Sequence, residues 1–440
     1  MACSDRGEKG NSRGDLMGDE LILAAQELLK NFRGTTYAFG SGALDQVGVY
    51  TSQLGKSALV VGNTGKTRVV VEEVIQSLNH HGIDVIKAVP GAQPNTPAQD
   101  VYRIADEIRD TQPDVLVAVG GGSTIDAVKA AAALAVLGGD VERFFGTGLV
   151  SAALKQQTAQ LPPIIAVATA ASSGAHLTKY SNITDTRTGQ KKLIVDQALV
   201  PVRAVFDYGV TASVSRDVTI DGILDGISHL TEVFIGVNED QYPLVERLIT
   251  VGLPLLLEFA PQVIMHPNDS EGRTAVGLGT DLGGFAIMIG GTNGAHLNSF
   301  SLVDIASHGR ACGLLNPYYA VLFAEAVEPQ LRLLGKIYAM YGFIRQELDA
   351  LSGRELALAV GAGMQEFMRS IGAPTALNQL PNYTREHRKR ALMAAQDPQL
   401  EMKLQNMPIP ITAEMVNGAV GSVLQAAEAG RLDLVETLQV

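Results

Sequence analysis

Two hydrophobic rhythms divide this chain. From about residue 35 to 208, short apolar runs rich in β-branched residues alternate with stretches of helical spacing. The runs SALVVG (57–62), IDVIKA (83–88), DVLVAVG (114–120) and PIIAVA (163–168) are continuous, which predicts strands covered on both faces, and PVRAVFD (201–207) reads as the last strand. Between them, VVVEEVIQSLNHH and AQDVYRIADEIRD repeat their apolar residues at helical intervals. Such alternation predicts a parallel sheet with helices packed on it. Beyond Ser213 helical periodicity runs to the end, interrupted by turns such as HPNDSEG and IGAPTALNQLPN. The boundary is expected near residues 208–212, giving an α/β unit over 18–210 and an all-helical unit over 211–440. Residues 1–17, MACSDRGEKGNSRGDLM, are polar and Gly-rich and predict disorder. The following GDELILAAQELLKNF has the amphipathic spacing of a docking helix.

Composition narrows the function classes. A chain of 440 residues is expected to form two domains. Its 46% hydrophobic content and 46 glycines suit a packed α/β protein. A net charge of −12 with no run of Lys or Arg argues against nucleic acid or an anionic membrane surface as partner. No apolar run is expected to reach the roughly 18–20 residues that span a bilayer; AAALAVL and LPLLLEF read as pieces of core helices. The two cysteines, Cys3 and Cys312, form no disulfide framework, and no signal-peptide pattern opens the chain, so a cytoplasmic setting is expected.

Three loops after predicted strands carry nucleotide-binding chemistry. In DVLVAVGGGSTIDAVKA the chain passes from a strand through Gly120, Gly121 and Gly122 into a helix, where a phosphate can approach bare backbone and meet Ser123 and free N–H groups. A tight turn at positive φ is the structural alternative. The motif is neither G-x-G-x-x-G nor a P-loop. GAQPNTP places Asn95 after the second strand, and ATAASSGAHLT presents Thr169, Ser172, Ser173 and Gly174 after the fourth. All three leave carboxyl ends of strands, where open α/β sheets bind ligands.

TIDGILDGISHLTEVFIG (219–236) poses a different question. Asp225 and His229 stand four apart on an apolar helix, sharing one face, and burying either alone is costly unless it is paired or binds a metal. An ordinary helix salt link is the plain alternative. His296 in GGTNGAHLNSF and His308 in DIASHGRACGLL supply two further imidazoles, and one carboxylate with three imidazoles suits Fe²⁺ or Zn²⁺ better than Ca²⁺ or Mg²⁺. His80, His81, His266 and His387 stand in polar contexts and read as surface residues.

Taken together, the Gly-Gly-Gly-Ser turn with IDAVKA, the asparagine loop, the hydroxyl-rich loop, GILDGISHLTE and SHGRACGLLNP resemble the iron-dependent (group III) alcohol dehydrogenases over roughly residues 35–420. The resemblance implies a Rossmann-like N-terminal domain and an all-helical C-terminal domain, the two-domain plan shared with dehydroquinate synthase. It implies a dinucleotide, NAD or NADP, along Asn63, Asn95, Gly121, Gly122, Ser123, Asp126, Thr169, Ser173 and Lys191, with a solvated surface lysine the alternative for Lys191. It also implies Fe²⁺, or Zn²⁺, on Asp225, His229, His296 and His308, hydride transfer to or from a small alcohol or aldehyde, and a homodimer.

The sequence departs from the family pattern at four places. Asn63 stands where an acidic residue usually meets the adenosine ribose. His176 replaces a common glutamate, and the His296–His308 spacing is two residues shorter than usual. Phe300 occupies the place of a histidine often assigned to proton relay, which Asn298, Ser299, Ser301 or His176 are left to replace. Polyol oxidation, a dehydroquinate-synthase-like cyclase and a non-catalytic nucleotide binder are the rival functions. The cyclase is expected to carry a Lys/Arg cluster near the metal helix, and none is visible in the sequence there.

Overall fold

The computed structural model describes residues 13–439 except Thr64 and Lys66, and of residues 13–17 the backbone only. Most of the segment expected to be disordered, with Cys3, lies outside the described residues. Its last five residues instead open helix α1 (Arg13–Arg33), where Leu16 and Met17 are strong helix formers.

Strands β1 (Tyr37–Phe39), β2 (Ser57–Gly62), β3 (Asp84–Val89), β4 (Val115–Gly120), β6 (Ile164–Ala168) and β9 (Arg203–Phe206) form a parallel sheet in the order β1-β9-β6-β4-β2-β3. The short β5 (Gly146–Thr147) joins the antiparallel pair β7 (Tyr180–Asp185) and β8 (Gln190–Val195) in a second sheet. Helices α2 (Gln46–Ser52) and α3 (Arg68–His80) cover one face of the large sheet, where Val47, Val74 and Leu78 meet Val60, Val117 and Val119. Helices α4 (Ala98–Thr111), α5 (Gly122–Leu137) and α6 (Leu149–Gln157) cover the other, where Ile104, Leu134 and Val150 meet Leu59, Leu116 and Ala118. Alternate residues of one strand thus serve opposite layers, which is why β2, β4 and β6 read as unbroken apolar runs.

Two expectations need correction. The run at 83–88 is not covered on both faces: β3 is an edge strand, and Asp84, Ile86, Lys87 and Ala88 are exposed. The β7–β8 hairpin escaped the hydrophobic pattern because QKKLIV and YSNITD mix polar with apolar residues.

Strand order reverses between β2 and β4. The chain leaves β2 for its neighbour β3 on one side and β4 for β6 on the other, so a crevice opens at their carboxyl ends. A short turn (Tyr208–Ser213) then leads into the helical part.

That part comprises α7 (Arg216–Gly236), α8 (Tyr242–Met265), α9 (Ser270–Ile289), α10 (Gly294–Ser299), α11 (His308–Leu322), α12 (Glu328–Met340), α13 (Gly353–Ser370), α14 (Arg385–Ala395), α15 (Glu401–Gln405) and α16 (Val416–Ala429). Helix α7 starts on Ser215, whose hydroxyl accepts from the Val218 N–H, and is buried on every side from Gly222 to Ile235, among α8, α9 and α11. Helix α1 packs on α8 and α9, with Ala25, Leu28 and Leu29 in the same core as Leu256 and Leu282. The expectation about apolar length is also overturned. By length and composition α8 could cross a bilayer, with mean hydropathy 1.8 over 18 residues, yet 67% of that stretch is buried against its neighbours. It is the core helix that LPLLLEF suggested.

Candidate active site

The carboxylate and three imidazoles converge. His229 Nε2 and His296 Nε2 each lie 3.7 Å from Asp225 Oδ1, and His308 Nε2 lies 3.9 Å from it. Two atoms that each bind one ion at about 2.1 Å can be at most about 4.2 Å apart, so each imidazole lies where it can share a cation with Asp225. Asp225 Oδ1 and His296 Nε2 are buried without a hydrogen-bond partner. Leaving such atoms unsatisfied costs about 1–3 kcal/mol each, and a cation removes that cost.

The surroundings set the tautomers that ligation requires. His296 Nδ1 contacts Glu232 Oε1 at 2.6 Å, and the other oxygen of Glu232 accepts from the Asn293 N–H at 2.8 Å. With Nδ1–H donated to this carboxylate, the Nε2 lone pair of His296 faces Asp225. Ser299 donates its hydroxyl to the His296 carbonyl and so accepts from His308 Nδ1 at 3.0 Å, which frees His308 Nε2 in the same way. Burial, opposed by the Asp225 carboxylate, brings the His229 pKa down to about 4. Burial together with the Lys191 charge pushes His308 well below its usual value. Both rings are therefore neutral at pH 7. Burial raises Glu232, but His296 and the Asn293 N–H outweigh it and hold the carboxyl low.

Local sequence explains the close approach. A Cβ on Gly309, one residue after His308, would lie 1.9 Å from the Asp221 carbonyl and 2.8 Å from Asp225 Cβ, so only glycine lets α11 cross α7 here. Gly222 likewise seats α7 against the Ala171 carbonyl of the hydroxyl-rich loop. That contact brings Ser172 to Asp225, with its hydroxyl donating to Oδ2 at 2.9 Å. Ser172 thus serves the carboxylate of the cluster and not the nucleotide loop to which its sequence position assigned it.

The nucleotide loops gather at the crevice. None of Gly120, Gly121 and Gly122 has positive φ, so a strained turn does not explain them. Close approach explains two: a Cβ on Gly120 would fall 2.7 Å from Thr124 Cβ and one on Gly122 2.5 Å from Ser173 Oγ, whereas at Gly121 a Cβ would make only an ordinary contact, 3.7 Å from Ala170 Cβ. Ser123 Oγ accepts from the Asn95 N–H at 3.1 Å, and Asn95 itself takes a left-handed φ of 65°. The Asn95 amide donates to the Val303 carbonyl at 3.3 Å, joining the α/β part to the helical part. Asn63 turns its amide toward the Ala92 carbonyl at 3.3 Å. Thr169 is buried after β6, its N–H donating to the Gly120 carbonyl at 3.1 Å. Asp126, one turn into α5, accepts from the Asn182 backbone at 3.0 Å and side chain at 3.1 Å, while its Oδ1 has no hydrogen bond and faces the Lys129 ammonium at 3.8 Å. Burial raises its pKa. Lys191 is not the solvated lysine of the alternative reading: it is buried on β8, with Nζ 3.4 Å from Asn95 Oδ1, and burial lowers its pKa.

One small cavity, with about 50 Å³ of free volume, adjoins both groups. Asp126 and Ser173 line it from the nucleotide side, and His229, His296, His308 and Phe300 from the cluster side. Phe300, in the relay position, is buried and stacks on His308 with ring centres 5.8 Å apart. Of the side chains left to replace the relay, His176 lies elsewhere, bound to Asp281 at 3.1 Å and Tyr37 at 3.2 Å. Ser301 is held by Gln190 at 2.9 Å and Asn298 by Tyr319; Ser299 stays beside His308. Among the other histidines, His80, His81 and His266 are exposed as expected. His387 is half-buried, because its ring completes the capping box of α14 with Thr384.

Sequence reasoning missed three residues. Glu232 lies seven residues after Asp225, two turns along the same face, so the helical period alone could have placed it. Cys312, one turn after His308, brings its sulfur within 4.8 Å of the ligand atoms of Asp225, His296 and His308. Burial raises that thiol well above its usual pKa, so it is protonated when no cation is bound. Lys403 of α15 lines the cavity beside Thr292, its ammonium hydrogen-bonded to the Thr292 hydroxyl, and burial lowers its pKa to about 8. Lys403 thus joins Lys191, the lysine the resemblance directs at the cofactor, beside the histidine cluster. No local pattern signals this, since Lys403 is brought in from more than 100 residues away.

Residues 34–208 match the family model of iron-containing alcohol dehydrogenases, and residues 219–418 match the C-terminal model of the Fe-containing alcohol dehydrogenase family. The chain is 27% identical to the NAD-dependent methanol dehydrogenase of Bacillus methanolicus over 76% of this chain and 85% of that protein. It is 30% identical to the phosphonoacetaldehyde reductase of Streptomyces viridochromogenes over 59% of this chain and 64% of that protein. The solved alcohol dehydrogenase from Oenococcus oeni shares the fold, with a TM-score of 0.75 at 22% identity, covering 89% of this chain and 98% of that one.

Proposed function

The chain belongs to the iron-containing alcohol dehydrogenase family, and from that premise we infer that it is a metal-dependent, NAD-linked alcohol dehydrogenase interconverting a small aldehyde and its alcohol. One observation carries the reading: a single cavity is bounded by His229, His296 and His308 of the cluster on one side and by Asp126 of α5 and Ser173 of the hydroxyl-rich loop on the other. Reduction adds one hydride and one proton to the carbonyl; oxidation removes them. When bound, a divalent cation polarises the substrate oxygen and the nicotinamide donates or accepts the hydride.

The remaining work belongs to the chain. Asp225, His229, His296 and His308 would hold the cation, with Glu232 and Ser299 fixing two of the rings. The open backbone at Gly121 and the first turn of α5 receive the pyrophosphate. Asn95, Asp126, Thr169, Ser173 and Lys191 border the rest of the dinucleotide path. Phe300, Leu193 and Ile287 line the cavity with apolar surface that excludes water. Asn63 carries no charge to repel a 2′-phosphate, which supports use of NADP as well as NAD. The nitrogen-and-oxygen donor set accepts Fe²⁺ or Zn²⁺. A homodimer in a reducing cytoplasm completes the reading, supported by the prevalence of two-fold dimers and the free thiol of Cys312.

The test is an aldehyde and alcohol panel with NADH and NADPH, on protein reconstituted anaerobically with Fe²⁺ or Zn²⁺. Asp225→Ala combined with His229→Ala is expected to remove bound metal and lower turnover at least about 100-fold, more than loss of an outer-shell partner causes. Unchanged turnover in that variant sinks the metal assignment.

A further inference from the structure

The three buried lysines near the cavity are satisfied unequally. Lys129 donates to the carbonyls of Ala175, Thr178 and Tyr180 at 2.6, 2.8 and 2.8 Å, which uses all three of its protons and makes it a structural post. Lys191 reaches toward Asn95 on the nucleotide side. Lys403 is different. It is 3% exposed, yet its polar partner is the single hydroxyl of Thr292; its other neighbours are the ring faces of Phe300 at 5.7 Å and Tyr180 at 5.9 Å. Among the described residues no carboxylate forms an ion pair with it. The nearest acid that influences it, Glu232, is committed to His296 and the Asn293 N–H.

Charge balance sharpens the point. With a dication in place, Asp225 and Glu232 compensate it, and Asp126 faces Lys129 at 3.8 Å. The Lys191 ammonium, on which Asp126 and Asp225 also act, faces the nucleotide side, and the Lys403 ammonium is left without a counter-charge in a dry site, an arrangement that a ligand anion completes. The cavity it shares with His229, His296 and His308 also limits the ligand. With about 50 Å³ of free volume the site is small, which favours short ligands.

We propose that Lys403, with Thr292, forms an anion subsite that selects short aldehydes carrying a carboxylate or a similar acid group at the end remote from the carbonyl. The proposal rests on the dehydrogenase reading for where the carbonyl lies. Phe300, in place of the relay histidine, gives the ammonium an aromatic wall and leaves its protons for the acid group.

Succinic semialdehyde and its neutral counterpart pentanal, with NADH and the metal-reconstituted enzyme, test the proposal. The wild type is expected to favour succinic semialdehyde by about 10- to 100-fold in kcat/KM, the range of a charge-assisted hydrogen bond. Lys403→Met should abolish that preference through KM while leaving pentanal within about threefold. Calorimetric binding of 4-hydroxybutanoate against 1-pentanol reads the same subsite without turnover. If no substrate is turned over but 4-hydroxybutanoate still binds the wild type and not Lys403→Met, the dehydrogenase reading fails and the subsite stands. Equal handling of the acid and neutral aldehydes by the wild type overturns the subsite. So does an equal loss of kcat on both in Lys403→Met, which makes the lysine a proton donor, or a loss of NADH affinity, which gives its charge to the cofactor. Lys403→Gln, which keeps a polar side chain beside Thr292, must reproduce the loss; if it retains the preference, the charge is not what selects.

Discussion

At the scale of single residues, the site depends on which protons are absent. His229 is held neutral by burial, its pKa lowered to about 4 from an ordinary value near 6.5. In the unfolded chain the same imidazole takes up its proton as pH falls through 6.5, while the folded protein declines it until about pH 4. Between these values the unfolded state binds more protons, so stability falls as pH falls and recovers as pH rises. The metal-free protein is therefore expected to lose about 3 kcal/mol from His229 alone between pH 6.5 and pH 4. Denaturant unfolding of metal-free wild type and His229→Gln across that range checks it, since the glutamine variant should show a shallower slope. An equal slope in both removes His229 as the cause. The residue scale also shows what a sequence cannot report. Asp225 and His229 declare themselves by spacing along one helix, but Lys403 becomes a neighbour of the cluster only after α15 packs against it.

At the scale of elements, packing in a layer decides what is legible. Strands β2, β4 and β6 lie between two helical layers, so both faces must be apolar and the sequence shows it. β3, at the sheet edge, needs only one apolar face, and the same kind of run there misleads. The β7–β8 hairpin turns Lys191 inward toward Asn95, so its most informative residue looks like surface. Helix crossings follow the same logic at glycines. Because α11 meets α7 at Gly309, Gly309→Ala must push the helices apart at Asp225. A loss of about 2–4 kcal/mol is expected, the scale of an overpacked core contact with its displaced neighbours, together with a weaker grip on metal. Thermal unfolding and metal content of the variant report the two effects separately. Wild-type values in both would mean that the crossing has room to spare.

At the scale of the whole molecule, the two halves must be held in fixed register for the cavity to exist, and buried polar contacts do part of that work. Asp281 of α9 is 1% exposed and gathers three groups from the other half. Tyr37 of β1 and Tyr208 of the connecting turn both donate to its Oδ2, the second at 2.9 Å, and His176 of the loop after β6 meets Oδ1 at 3.1 Å. This accounts for a histidine at position 176: it locks the loop that carries Thr169 and Ser173 onto the helical body. The register of β1 on β9, with Tyr37 opposite Ala204, aims the Tyr37 side chain at the same point. Asp281→Ala removes the acceptor that Tyr37, Tyr208 and His176 share and leaves them only the Tyr37–His176 contact, so a loss of about 1–3 kcal/mol for each group left unsatisfied is expected. Asp225, His229, His296 and His308 come from α7, α10 and α11, all inside the helical half, whereas the glycine turn belongs to the other. Cofactor affinity should therefore fall in this variant while metal content holds. Parallel measurement of NADH binding and metal stoichiometry distinguishes this from general unfolding: joint loss of both means Asp281 supports the helical core, and retention of both at wild-type stability means the halves are held by apolar contact alone.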